Sequence, residues 1–288
     1  MAIYKRSYKA WSGPLTPEWS RFWILTRYAW RYLFRSRFMT GFFILCFFPA
    51  IVMALGLYIN HSESLIRLLR LPPGRALISD LQTYFRVFLQ IQTGWATLLT
   101  AFAAPTLISP DLANNALPLY FCRPFSRAEY VLGKFCVIGW LVSLITWVPG
   151  LLLFGIETGL SGFGWAWDNL YLARAILFSS LAYVLVLSFI GLALSAWVKW
   201  KPVAGALVLG TFSLGAGFAV ATNAVLHTTN GYFMDTSHML KVVMSALFRI
   251  PYSDGDVSIA SAMIQLAGVC ALCLWLLSRK TRAFEVVR

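Results

Sequence analysis

Acidic side chains are scarce in this chain, with 11 Asp+Glu among 288 residues against 24 Lys+Arg, and charged residues of both signs make up only 12% of it. Hydrophobic residues make up 59%, and the mean hydropathy is +0.70. A soluble domain of this length cannot hide that much apolar surface in one core. Hydrocarbon as solvent removes the difficulty. In a soluble chain the net charge of +13 would raise nucleic acid as a partner. Here the basic residues cluster beside apolar runs, which points to membrane topology and anionic lipid headgroups and away from nucleic acid.

Catalytic motifs are also missing. There is no H-E-x-x-H and no G-x-S-x-G. The one Gly-Lys pair, Gly133-Lys134, has Ala128 where a P-loop needs its first glycine and Phe135 where it needs Ser or Thr. The chain is therefore expected to be non-catalytic, with no metal or cofactor of its own. Any energy must come from a partner. The five cysteines form no disulfide pattern: Cys46, Cys136, Cys270 and Cys273 lie in apolar runs and only Cys122 in a polar segment. No cleavable signal peptide is expected, because the first apolar run begins near Met39 and is too long for one.

What is present is six runs free of Asp, Glu, Lys and Arg: Met39–Ile59, Phe88–Ile108, Phe135–Ile156, Ala175–Val198, Val203–Leu226 and Val257–Leu277. Each is long enough, at about 1.5 Å per residue, to cross a hydrocarbon core of about 30 Å. Pro49, Pro105 and Pro149 fall inside runs and predict kinks. Six spans place both termini on one side. The connections on that side hold 17 of the 24 Lys and Arg. The positive-inside rule then makes it the cytoplasm, against the four arginines of the first outer loop, Arg67, Arg70, Arg75 and Arg86.

Before the first span, residues 1–15 read as a basic tail and 16–38 as an interfacial amphipathic helix. Thr16-Pro17-Glu18 is a helix start. Trp19, Phe22, Trp23, Thr26, Trp30, Leu33 and Phe34 recur at helical spacing, and Arg27, Arg31 and Arg35 form a separate stripe. Such a helix lies in the headgroup region. The membrane-interface residues are thus Trp19, Trp23, Arg27, Trp30, Arg31 and Arg35.

The spans carry no acid. Gradient-driven transporters usually place a carboxylate or an unwound ion site near the midplane. The only titratable edge group here is Glu157, at an outer end. His61, His227 and His238 all fall outside as well. His227, Asp235 and His238 share a loop that could hold a metal, but nothing in their spacing demands one.

The connection between spans two and three, Ser109–Lys134, is the most informative stretch. Ser109-Pro110-Asp111 starts a helix, Pro118 interrupts, Arg123-Pro124-Phe125-Ser126-Arg127 is a compact basic turn, and Ser126 can cap the helix entering span three. This loop resembles that of the ABC-2 family of ABC exporter permeases. There an acid precedes Gly-Thr, then come a leucine-rich stretch, Pro-Val-Ser-Arg and Gly-Lys. Asp111, Pro124-Phe125-Ser126-Arg127 and Gly133-Lys134 match. Asn115 and Ala116 stand at the Gly-Thr positions, and Pro118 replaces a frequent glutamate.

The resemblance implies an all-α integral membrane protein of the type V, ABC-2 exporter-like fold. Its six-span domain would occupy 39–288, with a coupling loop at 109–134 and an outer loop at 227–256. It implies a non-catalytic permease subunit in a bacterial inner membrane. ATP and Mg would be bound by a separate ABC ATPase subunit, into which the loop docks through Asp111, Asn115, Pro124, Ser126 and Arg127. A second copy, as homodimer, or a paralogous permease would complete the path. Spans two and five would line it with Gln90, Thr93, Thr97 and Thr100 and with Gly210, Ser213, Gly217 and Asn223. The loop 227–256 carries a short amphipathic helix in Met239, Val242, Val243, Ala246 and Leu247. The competing readings are a stand-alone channel or secondary transporter, and a membrane scaffold.

Overall fold

The computed structural model describes residues 20–62, 80–114, 116–121, 126–251 and 257–280, with isolated positions 17, 64, 66 and 78. These residues are helical throughout, with no strand among them. Six helical stretches are long and apolar enough to cross a membrane: Arg37–His61, Leu81–Ala113, Arg127–Ser161, Leu170–Trp197, Lys201–Leu226 and Ile259–Lys280.

The N-terminal helix, α1, runs Arg21–Leu33, and the first span begins separately as α2, Arg37–Leu45. The continuous helix expected over 16–38 is therefore broken at Phe34–Ser36. The Ser36 hydroxyl accepts from the Met39 N–H and starts the new helix. The expected proline kinks divide into two kinds. Pro49 sits in the first turn of α3, Phe48–His61, and Pro149 in that of α8, Trp147–Ser161. A proline lacks the N–H that would continue the preceding helix, so the first and third spans are each two helices in tandem. The third span's other half is α7, Arg127–Ile145. Pro105 instead lies inside α4, Leu81–Leu107, which breaks only at Ile108 before the short α5, Ser109–Ala113. Pro118 does not interrupt. It occupies the second position of α6, Leu117–Phe121, where its missing N–H costs nothing.

Beyond α7 and α8 come α9, Phe163–Asp168; α10, Leu170–Trp197; α11, Lys201–Leu226; α12, Thr236–Leu247; and α13, Ile259–Lys280. A 3₁₀ turn at Asn230–Met234 joins α11 to α12. The amphipathic segment expected near 239–247 is α12, and Met239 and Val242 on its inner face are buried.

The fourth span, α10, is the centre of the bundle, in contact with the second, third, fifth and sixth spans. Of its most apolar window 67% is buried, against 11% for the first span, 22% for the fifth and 17% for the sixth. In hydrocarbon, burying a leucine against another helix gains little, because lipid tails are equally apolar. Close packing and interhelical hydrogen bonds decide the arrangement. Gln92, fully buried, donates from Nε2 to the Cys46 carbonyl at 2.7 Å, at the junction of α2 and α3. Tyr84 donates to the Met53 carbonyl at 2.5 Å, and Ser195 to the Ala104 carbonyl at 2.8 Å.

At the start of the α4–α11 crossing the backbones nearly touch. A Cβ on Gly205 would lie 2.6 Å from the Ala101 carbonyl oxygen, an atom held in its own helix. Gly205→Ala should therefore lower the thermal midpoint of the detergent-solubilised protein. The overpacking cost of about 1–3 kcal/mol exceeds the helix-propensity gain of about 1 kcal/mol. Gly268→Ala, with nothing within 4 Å, should leave the midpoint unchanged or raise it. At the far end of α4, Asp80 caps the helix: its carboxylate accepts from Gln82 N–H, Thr83 N–H and the Thr83 hydroxyl. The Thr83 hydroxyl bond, with help from those N–H groups, holds its carboxyl below the usual value of 3.8. Asp80→Ala should cost about 1 kcal/mol near neutral pH. That gap to wild type should close as pH falls through the lowered value, because the capping carboxylate is then protonated.

Candidate coupling site

The loop between the second and third spans is fastened at both ends. At its start, Ser109 is fully buried. Its Oγ lies 2.9 Å from the Ser195 carbonyl and 2.8 Å from the Val198 carbonyl, and its N–H donates to Ser195 Oγ at 3.3 Å. The loop thus leaves α4 bound to the end of α10. At its close, Ser126 and Glu129 form a reciprocal capping box. Ser126 Oγ accepts from Glu129 N–H at 3.2 Å, and Glu129 Oε2 accepts from Ser126 N–H at 2.6 Å.

Between these ends lies an ion pair whose lysine is buried and whose aspartate is partly buried. Lys134 is 5% exposed, yet its ammonium is 2.9 Å from Asp111 Oδ2 and donates to the Leu107 carbonyl at 2.7 Å. Tyr130, also buried, donates its hydroxyl to the same Asp111 Oδ2 at 2.8 Å, and its ring lies 5.5 Å from the ammonium. The pieces have local causes. Leu107 ends α4, so its carbonyl belongs to the last turn and carries part of the negative end of the helix dipole. Asp111 sits in the first turn of α5, and Lys134 two turns into α7. One ion pair therefore ties the second span, the loop and the third span together. Tyr120 of α6 packs its ring 5.6 Å from that of Tyr130. Burial, with Asp111 nearby, pushes its phenol above the usual 10.0.

The glycine of the Gly-Lys pair has a separate role. A Cβ on Gly133 would lie 3.1 Å from the Phe22 carbonyl oxygen and 3.2 Å from Leu25 Cδ2, and Thr26 Oγ1 donates to the Gly133 carbonyl at 3.0 Å. Gly133 admits α1 against α7 while Lys134 holds Asp111.

Of the residues expected at the coupling loop, Asp111 is committed to this internal pair and Ser126 to its cap. Arg127 and its neighbour Ala128 are exposed and open to a partner. Asn115 and Pro124 lie outside the described residues.

The two expected path stripes differ. On α4, Gln90 is exposed, but the hydroxyls of Thr93, Thr97 and Thr100 all turn back to carbonyls of their own helix, and Thr93 and Thr100 are buried. On α11, Ser213 and Gly217 are exposed and Gly210 partly so. Asn223 accepts from the Gly231 N–H at 2.7 Å, tying the 3₁₀ turn to the helix. Asp235, from the histidine-bearing loop, accepts from Ser237 as the cap of α12, and His238 stacks on Tyr232 at 4.2 Å.

Of the expected interface residues, Trp19 lies outside the described set. Trp23, Arg27 and Trp30 gather with Trp140 around a cavity of about 560 Å³ between α1 and the third and fourth spans. Arg31 and Arg35 are exposed. Trp23 does not share the buried face with Thr26, Ala29 and Leu33, being 56% exposed.

Lys134, Tyr130 and Gln92 were not among the expected site residues. Lys134 precedes the charge-free run by one position, so counting charges places it at the membrane edge. The signal that could have found it is the pairing of the Gly-Lys motif with the lone acid at the loop's start. Trp140 lies among ordinary span residues and carries no signal of its own.

Breaking the pair from one side should be costly. Lys134→Met should destabilise the protein by about 3 kcal/mol, leaving the partly buried Asp111 without its cation. Adding Asp111→Leu should recover part of that loss, and a thermal-melt double-mutant cycle in detergent measures the coupling. Compared with known proteins, the chain matches no family model and no curated protein.

Proposed function

We propose that this chain is the membrane-spanning permease subunit of an ATP-driven ABC transporter of the ABC-2 type, an exporter, working with a separate ATPase. The observation that carries the reading is the loop at 109–134. Asp111 and Lys134, two of the elements on which the ABC-2 resemblance rests, are 2.9 Å apart, with Lys134 buried and Asp111 partly so. A loop locked to two spans in this way can pass a push on its exposed Arg127 corner directly into the bundle. A loosely tethered loop would absorb it. In this reading both termini and the loop face the cytoplasm, and α1 lies along the cytoplasmic headgroups. Arg27 and the tryptophans around it then sit where an anionic lipid can fill the groove.

Six spans form half of such a machine. The sparsely buried fifth span, with exposed Ser213 and Gly217, offers the close-approach face that a second copy would cover. The threonines of α4 do not fit a wide polar channel in one chain, which favours a path formed between two copies.

The test is a pull-down from solubilised native membranes, wild type against Arg127→Glu, with ATP hydrolysis and protein partners read from the bound fraction. Wild type should bring down a Walker-motif subunit, and the charge reversal should lose most of it. If wild type brings down no ATPase, the permease reading fails.

A further inference from the structure

At the end of the bundle opposite the 109–134 loop, a cavity of about 390 Å³ lies among the ends of the first four spans. Its lining is mostly polar and includes Glu157, Asp80, His61, Gln82 and Trp165. No Lys or Arg is among its described lining residues. Glu157 is 1% exposed, the most buried acid among the described residues. Its Oε1 accepts from the Ser161 hydroxyl at 2.7 Å and lies 3.5 Å from His61 Nε2. His61 is turned by its other nitrogen: Nδ1 lies 3.1 Å from the Leu57 carbonyl, which can only accept, so Nδ1 carries the proton. Glu157 Oε2, in contrast, is buried and has no hydrogen-bond partner.

A buried carboxylate oxygen without a donor is costly, and native structures pair such an atom with a protein donor, an ordered water or a ligand. The surroundings indicate which ligand. Two carboxylates, an indole and a polar lining with no arginine or lysine among its described residues match a group that donates several hydrogen bonds and carries positive charge. Asp80 is already engaged as the cap of α4, so it contributes field more than a direct bond. Glu157 is left as the direct acceptor.

We propose that this cavity binds a primary ammonium group, with Glu157 Oε2 as its main acceptor and the Trp165 ring against its face. The group can arrive on a small soluble amine or on a phospholipid headgroup, since the cavity lies at the end of the spans. The site does not rest on the ATPase reading and stands or falls by itself.

The full chain in detergent micelles would be titrated with ethanolamine, using ethylene glycol as the neutral control, and followed by thermal unfolding. A second arm compares retention of phosphatidylethanolamine and phosphatidylglycerol by native mass spectrometry. Expected is a saturable rise in midpoint with ethanolamine alone, selective retention of phosphatidylethanolamine, or both, and the responding arms identify the source of the amine. Glu157→Gln should weaken the response about tenfold or more. Equal effects of ethanolamine and ethylene glycol together with no lipid preference, no binding in either arm, or an unchanged response in Glu157→Gln would each overturn the proposal. If Glu157→Gln fails to fold, Trp165→Leu, at the partly exposed edge, replaces it with the same expectation.

Discussion

A lysine ammonium taken out of water needs replacements for the hydrogen bonds it has lost, and Lys134 finds them in three places. The Asp111 carboxylate supplies the counter-charge, the Leu107 carbonyl supplies an acceptor at a helix end, and the Tyr130 ring covers one side. Each of these belongs to a different turn of the chain, so satisfying the one cation fixes three segments at once. The direction in which the second span ends, the course of α5 and the entry of the third span all follow. Gly133 extends the constraint to α1, whose Phe22 carbonyl would lie only 3.1 Å from a side chain's Cβ at that position. Such a pair is weak evidence for net stability, since an apolar replacement could serve equally well. Its value lies in specifying one geometry for the loop.

The rest of the bundle obeys the solvent it is built for. The fourth span is buried on most sides and supplies the serine that receives the loop. The first, fifth and sixth spans turn apolar faces outward, which in hydrocarbon is no liability. What water would have driven by area is done here by close backbone contact at Gly205 and by a few polar ties, among them the fully buried Gln92 to Cys46 and Ser195 to Ala104. The two ends of the bundle differ in character. One holds the Lys134–Asp111 ion pair, and the other a polar cavity in which one carboxylate oxygen is still unmatched.

Much of this was legible from residue order. Charge-free runs locate the six spans, because no other solvent tolerates them, and Ser126 and Ser109-Pro110-Asp111 announce helix starts through local chemistry. Helix ends were legible only within several residues. α4 begins at Leu81, seven positions before its charge-free run, since Arg86 and Gln82 are tolerated near a membrane surface. Prolines mark breaks, but only tertiary context separates Pro49, which starts a helix, from Pro105, which is carried inside one. The site was half legible. Asp111 and Gly133-Lys134 stand out as motif elements, while the fact that they bind each other depends on α4 and α7 lying side by side, which no local pattern encodes. The threonine stripe of α4 misleads for a related reason: a hydroxyl in a helix can satisfy itself on its own backbone and need line nothing.

The central claim is that the 109–134 loop presents its Arg127 corner to an ATPase while the opposite end of the bundle does not. A photo-crosslinking side chain placed at the exposed Ala128, and in a second protein at Phe163, which is 81% exposed at the other end, tests it in native membranes. The account predicts an adduct with a Walker-motif subunit from position 128 and none from position 163. Adducts from both positions, or from neither, would contradict it.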